Sequence, residues 1–175
     1  MGLLSSILAS QGGNIVGQIS SKFGLDPAMA ESAVRSLIPA ISQGIQNNTS
    51  DKTGLESLVS ALSNGNHQSY VDDPDSISDP ATTADGNSIL GHILGSKEIS
   101  RNVADEAAAE TGVSSSTLKK MLPILASVAM GVMSRESSSS SGNKLDIGGL
   151  LSSFIGSDDN GSVAQGLLGM AKKLF

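Results

Sequence analysis

The chain contains no cysteine and no tryptophan, and its aromatic residues are three phenylalanines and one tyrosine. Without cysteine it has no disulfide, no thiolate metal ligand and no cysteine nucleophile. The absence of cysteine fits a reducing compartment, so we expect a cytoplasmic location. An exported protein is the alternative, since such a chain can also lack cysteine.

Charged residues are also scarce. Asp, Glu, Lys and Arg make up 16% of the 175 residues and the formal net charge is -6, whereas an average soluble protein has about 25% charged residues. An acidic chain repels phosphate backbones, so we do not expect nucleic acid among its partners. The longest apolar run, 121–133, contains Pro123 and Ser127 and is shorter than the roughly 20 residues that cross a bilayer. It predicts a buried helix, not a transmembrane segment.

The spacing of apolar residues predicts an all-α protein. They recur three and four positions apart, and no segment alternates as a strand does. Gly24 and Gly112 are expected to end helices, and Asp26-Pro27 is expected to begin one. We expect a compact multihelical domain over 1–136, a serine-rich linker over 137–144 and a Gly/Leu-rich helical tail over 145–175.

Two stretches of the chain share one order of features and suggest an internal repeat. Residues 13–46 and 98–133 each contain a helix, a glycine, a capping residue, a second helix and a proline after two apolar residues. We therefore expect two related helix-turn-helix hairpins that share one core. Pro39 and Pro123 should kink or split their helices, and their apolar neighbours predict that both bends are buried.

Turn-forming residues accumulate between the two stretches. Asp-Pro, Asn-Gly and Asp-Gly pairs over 63–87 predict a long acidic loop, after which Ser88 should begin a short helix.

These motifs resemble those of the YidB-like bacterial family of unknown function. The resemblance rests on the repeated unit around Gly24–Pro39 and Gly112–Pro123, on GNSILGHILG at 86–95 and on GLLGMAKKLF at 166–175. It implies a compact, multihelical bacterial protein. Because its motifs consist of glycines, aliphatic residues and a proline, it implies a fold and transfers no catalytic residue.

The second hairpin also resembles a DNA-binding helix-turn-helix, in which the helix after the turn enters the major groove. That helix would present four polar residues: Ser115, Ser116, Lys119 and Lys120. The alternative is a hairpin that uses the same glycine stop and serine cap for packing alone.

A second alternative is a calcium site in the acidic loop, because calcium prefers several oxygen ligands on a flexible segment. The candidate ligands are Asp72, Asp73, Asp75 and Asp79. An EF-hand loop starting at Asp73 would have Ser78 at its sixth position and Ala84 at its twelfth, so that pattern fails. The alternative role of these aspartates is to form turns and helix caps.

Nothing in the sequence indicates catalysis. The chain lacks the nucleophile-elbow, P-loop and dinucleotide-binding motifs. His67 lies in a polar loop, whereas His92 lies in an apolar helix and is either half-buried or a partner of the acidic loop. We expect no enzyme activity and no cofactor.

The sequence therefore predicts a structural or protein-interaction module that binds a protein partner or self-associates through its helices. The tail could dock on its own core, exchange between subunits or lie on a membrane surface. With only Lys172 and Lys173 near its end, it is poorly suited to a membrane surface.

Overall fold

The structure is a computed structural model that describes residues 3–9, 14–64 and 67–139. The predicted linker residues 140–144 and tail 145–175 lie outside the described residues. Within the described residues, the chain forms eight α-helices and one 3₁₀ helix, which confirms the all-α class. In chain order these are α1 (Leu3–Ala9), α2 (Asn14–Phe23), α3 (Pro27–Thr49), α4 (Lys52–Asn64), α5 (Ser69–Asp72), the 3₁₀ helix (Pro74–Ser78), α6 (Pro80–Ile93), α7 (Lys97–Thr111) and α8 (Ser115–Ser139).

Helix α8 lies at the centre of the fold. Every residue of 121–134 is buried, and α8 contacts α1, α3, α4, α5, α6 and α7. A helix that is apolar around its whole circumference needs neighbours on every side. The run predicted as a buried helix is therefore the axis around which the rest of the chain packs, and no described helix is long and apolar enough to cross a membrane.

The helix boundaries at the two hairpin corners follow the predicted local chemistry. Gly24 and Gly112 have φ of 64° and 73°, a backbone region that favours glycine. After the first corner, Asp26 Oδ1 accepts a hydrogen bond from Ala28 N at 3.0 Å. After the second, Ser114 Oγ accepts one from Thr117 N at 3.3 Å. The predicted glycine stops and capped starts are confirmed at both corners.

One of the two prolines lies in a different environment from the one predicted. Helices α3 and α8 run through Pro39 and Pro123 without being split, and Pro39 is exposed whereas Pro123 is buried. Proline removes the hydrogen bond to the carbonyl four residues earlier. For Pro39 that carbonyl belongs to exposed Arg35, on a side where water can replace the lost donor. The expectation that both bends are buried was wrong for Pro39.

The two hairpins, α2–α3 and α7–α8, contribute to a single hydrophobic core. Helix α3 contacts α7 as well as α8, so the hairpins pack against each other. That they are copies of one repeated unit stays a prediction.

Residues 63–87, which were predicted to form a long acidic loop, are mostly helical, so that prediction was wrong. It contains α5, the 3₁₀ helix and the first half of α6. Asp79 begins α6 because its Oδ1 accepts a hydrogen bond from Ala81 N at 2.8 Å and Pro80 follows. Ser88 does not cap a helix, since it lies within α6. At the other end of the domain, α8 extends to Ser139, so 137–139 of the predicted linker are helical.

A close contact with α8 holds α6 in place. A Cβ atom at Gly86 would overlap the carbonyl oxygen of Pro123 and lie 2.8 Å from Ser127 Oγ. Ser127 Oγ in turn donates a buried hydrogen bond of 2.8 Å to the Thr82 carbonyl. The approach of the two helices therefore requires a residue without a side chain at position 86.

Replacing Gly86 with alanine tests this contact. Alanine favours helix by about 1 kcal/mol, but backbone atoms of Pro123 cannot yield to the new methyl group. We expect Gly86→Ala to lower the free energy of unfolding by about 2–3 kcal/mol, measured by chemical denaturation.

Gly91→Ala is the matched control in the same helix, because Gly91 is exposed and a Cβ there meets nothing within 4 Å. It should raise the free energy of unfolding by about 0.5–1 kcal/mol. Equal effects of the two substitutions would contradict the proposed contact.

Candidate functional site

The four aspartates predicted as calcium ligands have individual structural roles. Asp73 Oδ1 accepts a hydrogen bond from Asp75 N at 3.1 Å and caps the 3₁₀ helix, and Asp79 caps α6. Asp72 Oδ1 lies 3.5 Å from Arg135 Nη1, and Asp75 is exposed. Among the described residues, no three His, Asp or Glu side chains are placed to hold a metal. The geometry therefore gives the calcium alternative no support.

The four residues of the predicted DNA-reading helix do lie together at the start of α8. Ser116, Lys119 and Lys120 are exposed, and Ser115 is half-buried. Lys119 Nζ, however, lies 3.5 Å from Asp105 Oδ1. The preceding helix α7 also exposes Glu106 and Glu110. This acidic setting opposes binding of a phosphate backbone.

A polar cluster that the sequence pattern did not predict connects α4, α5 and α6. His67 is only 5% exposed, although it was expected in a polar loop. Its Nε2 lies 3.1 Å from the Ala61 carbonyl oxygen. Its Nδ1 lies 3.2 Å from Asp85 Oδ2 without forming a well-directed hydrogen bond, and Tyr70 Oη donates to the same oxygen at 3.0 Å. These three residues could have been brought together from the sequence only if α6 had been predicted to begin at Pro80.

This cluster resembles a catalytic His–Asp pair in composition but not in access. A general base needs a nitrogen directed at the substrate proton. Here the ring is buried and Nε2 faces a backbone carbonyl, which only accepts, so Nε2 carries a proton. The arrangement is suited to fastening the segment 67–85 onto its neighbouring helices.

The environment of Tyr70 changes its acidity. Burial, the hydrogen bond to Asp85, and the negative charges of Asp85 and Asp79 together raise the pKa of Tyr70 to about 12, from an ordinary value of about 10. A phenol that must stay protonated to donate to a carboxylate resists ionisation. The folded chain therefore keeps this proton at a pH where the unfolded chain has lost it.

Because the pKa of Tyr70 is higher in the folded chain than in the unfolded chain, the protein should lose stability at alkaline pH. The contribution of Tyr70 to folding is fully present below about pH 10 and is lost as the pH rises through its folded pKa of about 12. Because Tyr70 is the one tyrosine and tryptophan is absent, phenolate absorbance reports this group alone. We expect a folded-state midpoint near pH 12 and a smaller loss of stability over this range in Tyr70→Phe.

The variant Asp85→Asn tests whether the Asp85 carboxylate contributes to the raised pKa of Tyr70. It removes the negative charge beside the phenol, so the absorbance midpoint should move toward that of the denatured chain. A wild-type midpoint equal to that of the denatured chain would contradict the cluster.

A separate surface feature is an open groove between α3, the end of α6 and the start of α7, which we call the α3/α7 groove. Its volume is about 410 Å³. Ile99 on its edge is 46% exposed, and none of the described residues lining it is Asp, Glu, Lys or Arg. The principal side chains facing it are Ala40, Gln43, Asn47, His92, Ile99 and Val103.

Local sequence explains how the groove is built. On α3, positions 40, 43, 44 and 47 recur at helical spacing and share a face. Helix α6 ends at the groove, where Gly95 turns the chain with φ of 74°. Ser96 Oγ then accepts a hydrogen bond from Ile99 N at 3.2 Å and caps α7. The turn and the cap together place Ile99 and Val103 beside the α3 face.

Comparison with known proteins identifies the chain's family and leaves its activity open. The family described as a bacterial protein of unknown function, DUF937, matches residues 5–136. No curated protein and no solved structure matches the chain. The matched range contains the first hairpin, the second hairpin as far as residue 136, the polar cluster and the α3/α7 groove, and it confirms the resemblance to YidB-like proteins. The chain therefore belongs to the DUF937 family of bacterial proteins of unknown function.

Proposed function

We propose that the chain is a non-catalytic protein-interaction module that self-associates, with a helix of a second copy bound in the α3/α7 groove. The observation that carries this proposal is the groove itself, which combines an exposed isoleucine with a lining free of Asp, Glu, Lys and Arg. An apolar side chain of that size gains free energy when a partner removes it from water.

Electrostatics favours this surface for contact between copies. Each chain carries a formal net charge of -6, so two copies have a net electrostatic repulsion. The α3/α7 groove presents no Asp or Glu among its described lining residues. Contact between two copies there places no carboxylate of the described lining against the partner.

The shape of the groove suits a helix. Ala40, Gln43 and Asn47 follow one another along α3, while Ile99 and Val103 are one turn apart on α7. Two such rows form the walls of a channel that accepts the apolar face of a third helix. The amides of Gln43 and Asn47 can pair with polar groups at the edge of that helix.

The non-catalytic part of the proposal rests on the site chemistry. The one buried histidine, His67, directs Nε2 at a backbone carbonyl. The carboxylates of Asp73 and Asp79 cap helices. These groups are used in holding the fold, and the groove lining offers His92 as its one titratable side chain.

Substitution of Ile99 tests the groove. Ile99→Asp places a carboxylate where the apolar contact would form, and burying an unpaired charge is costly. We expect the full chain to show a weight-average mass that rises with concentration in sedimentation experiments. Ile99→Asp should weaken that association by at least about tenfold, which corresponds to about 1.4 kcal/mol.

Met29→Asp is the matched control. Met29 is the other exposed large hydrophobic residue among those described, at 38%, and it does not line the groove. It should leave the association unchanged. A full chain that stays monomeric at every concentration, or that Ile99→Asp and Met29→Asp affect equally, would refute the proposal.

A further inference from the structure

We infer that the ligand of the α3/α7 groove is the chain's own C-terminal segment, residues 145–175, which occupies the groove within a single molecule and exchanges between copies when the protein self-associates. This inference rests on the proposed function, because it names the helix that the groove receives. It makes the segment an intramolecular competitor that limits access to Ile99.

The sequence of the segment matches the groove chemically. Its apolar residues at 147, 150, 151, 154 and 155 recur at a spacing that would place them on one face of a helix, and those at 163, 167, 170 and 174 follow the same spacing. Residues 147–157 contain no charged side chain. An uncharged apolar face thus meets a lining that offers no ionic partner, so neither side leaves a buried charge unpaired.

Small residues on the segment add to this fit. Gly148, Gly149, Ser152 and Ser153 lie beside the apolar positions, and short side chains allow a helix to approach its neighbours closely. The groove floor is itself formed where Gly44 packs against Ile93. Close packing of α3 on α6 at Gly44 gives the groove a fixed floor, and the small residues of the segment would let it approach that floor, which increases the number of van der Waals contacts.

The chain is long enough for the segment to return to the crevice beside its own groove. Met130 of α8 lines a crevice of about 70 Å³ that adjoins the groove and shares Asn48, His92 and Ile93 with it. From Met130 to the end of α8 at Ser139 the helix rises about 14 Å. Residues 140–144 span up to about 17 Å when extended, which is sufficient to bring residue 145 back to the level of the crevice.

Attachment makes the intramolecular complex the favoured one at low concentration. A segment tethered by a short linker has an effective concentration on the order of millimolar. A second copy at micromolar concentration cannot compete with it. As the protein concentration approaches the effective value, the same contacts form between molecules, and the proposed self-association follows by exchange.

Cross-linking in the full chain tests this inference, and the absence of cysteine means that introduced thiols are the sole reactive ones. The test variant carries Asn47→Cys in the groove and Ser152→Cys in the segment. With a short bismaleimide in dilute solution, we expect a product of monomer mass whose two cysteines are linked. At high concentration an increasing share of product should have dimer mass.

The control variant pairs Ser152→Cys with Ser116→Cys, an exposed position at the opposite end of the α7–α8 hairpin. Linkage there should be about ten times slower than at Asn47. Adding Leu151→Asp to the test variant should reduce its rate to that of the control. Random collision would link Ser152→Cys to both positions at similar rates, whereas docking in the groove would favour linkage at Asn47→Cys.

Equal rates in the test and control variants would overturn the inference, as would a test product of dimer mass alone. If the chain nevertheless associates and Ile99→Asp weakens that association, the groove binds another part of the second copy and the proposed function stands. If the monomer-mass product forms rapidly but concentration never produces dimers, exchange is refuted together with the proposed self-association. Rapid linkage at monomer mass that converts to dimer mass supports the inference in full.

Discussion

The fold depends on the burial of α8 on every side. A helix whose residues 121–134 are all buried cannot lie on the surface of a bundle, so six other helices surround it. This burial also determines where polar groups are tolerated. Ser127 is fully buried and donates its hydroxyl hydrogen to the Thr82 carbonyl of α6. A buried hydroxyl without such a partner would cost about 1–3 kcal/mol.

The same constraint locates the α3/α7 groove. Helix α7 buries Ala104 and Ala107, whereas Ile99 remains exposed. Helix α3 similarly buries an aliphatic stripe that includes Leu37 and Ile41 and leaves Gln43 and Asn47 outside. Because α8 is covered by the inner faces of its neighbours, the groove forms where their outer faces meet. Of its apolar lining residues, Ile93 and Leu94 belong to the core, whereas Ile99 and Val103 remain at least partly exposed.

Local rules predicted those features that depend on a few adjacent residues. Gly112 ends α7 and Asp26-Pro27 begins α3 because conformation and capping are decided within one turn of helix. Asp79-Pro80 is the same start signal, yet the residues after it, from Thr82 to Asn87, favour turns. Contact of Gly86 with Pro123 stabilises α6 against that preference. The exposure of Pro39, the burial of His67 and the position of the groove also depend on distant parts of the chain, so no local pattern could reveal them.

Helix α6 connects the two parts of the molecule that carry its polar chemistry and its open surface. In the first half of α6, Asp85 contacts His67 and Tyr70, and Gly86 packs against Pro123 of α8. At its other end, His92 and Ile93 line both the groove and the crevice beside Met130. A rigid helix transmits a displacement at one end to the other, because its backbone hydrogen bonds hold the turns in register. The polar cluster holds the first half of α6 against α4 and α5, and the Gly86 and Ser127 contacts hold it on α8. Together they fix the position of the floor on which a docked helix would rest.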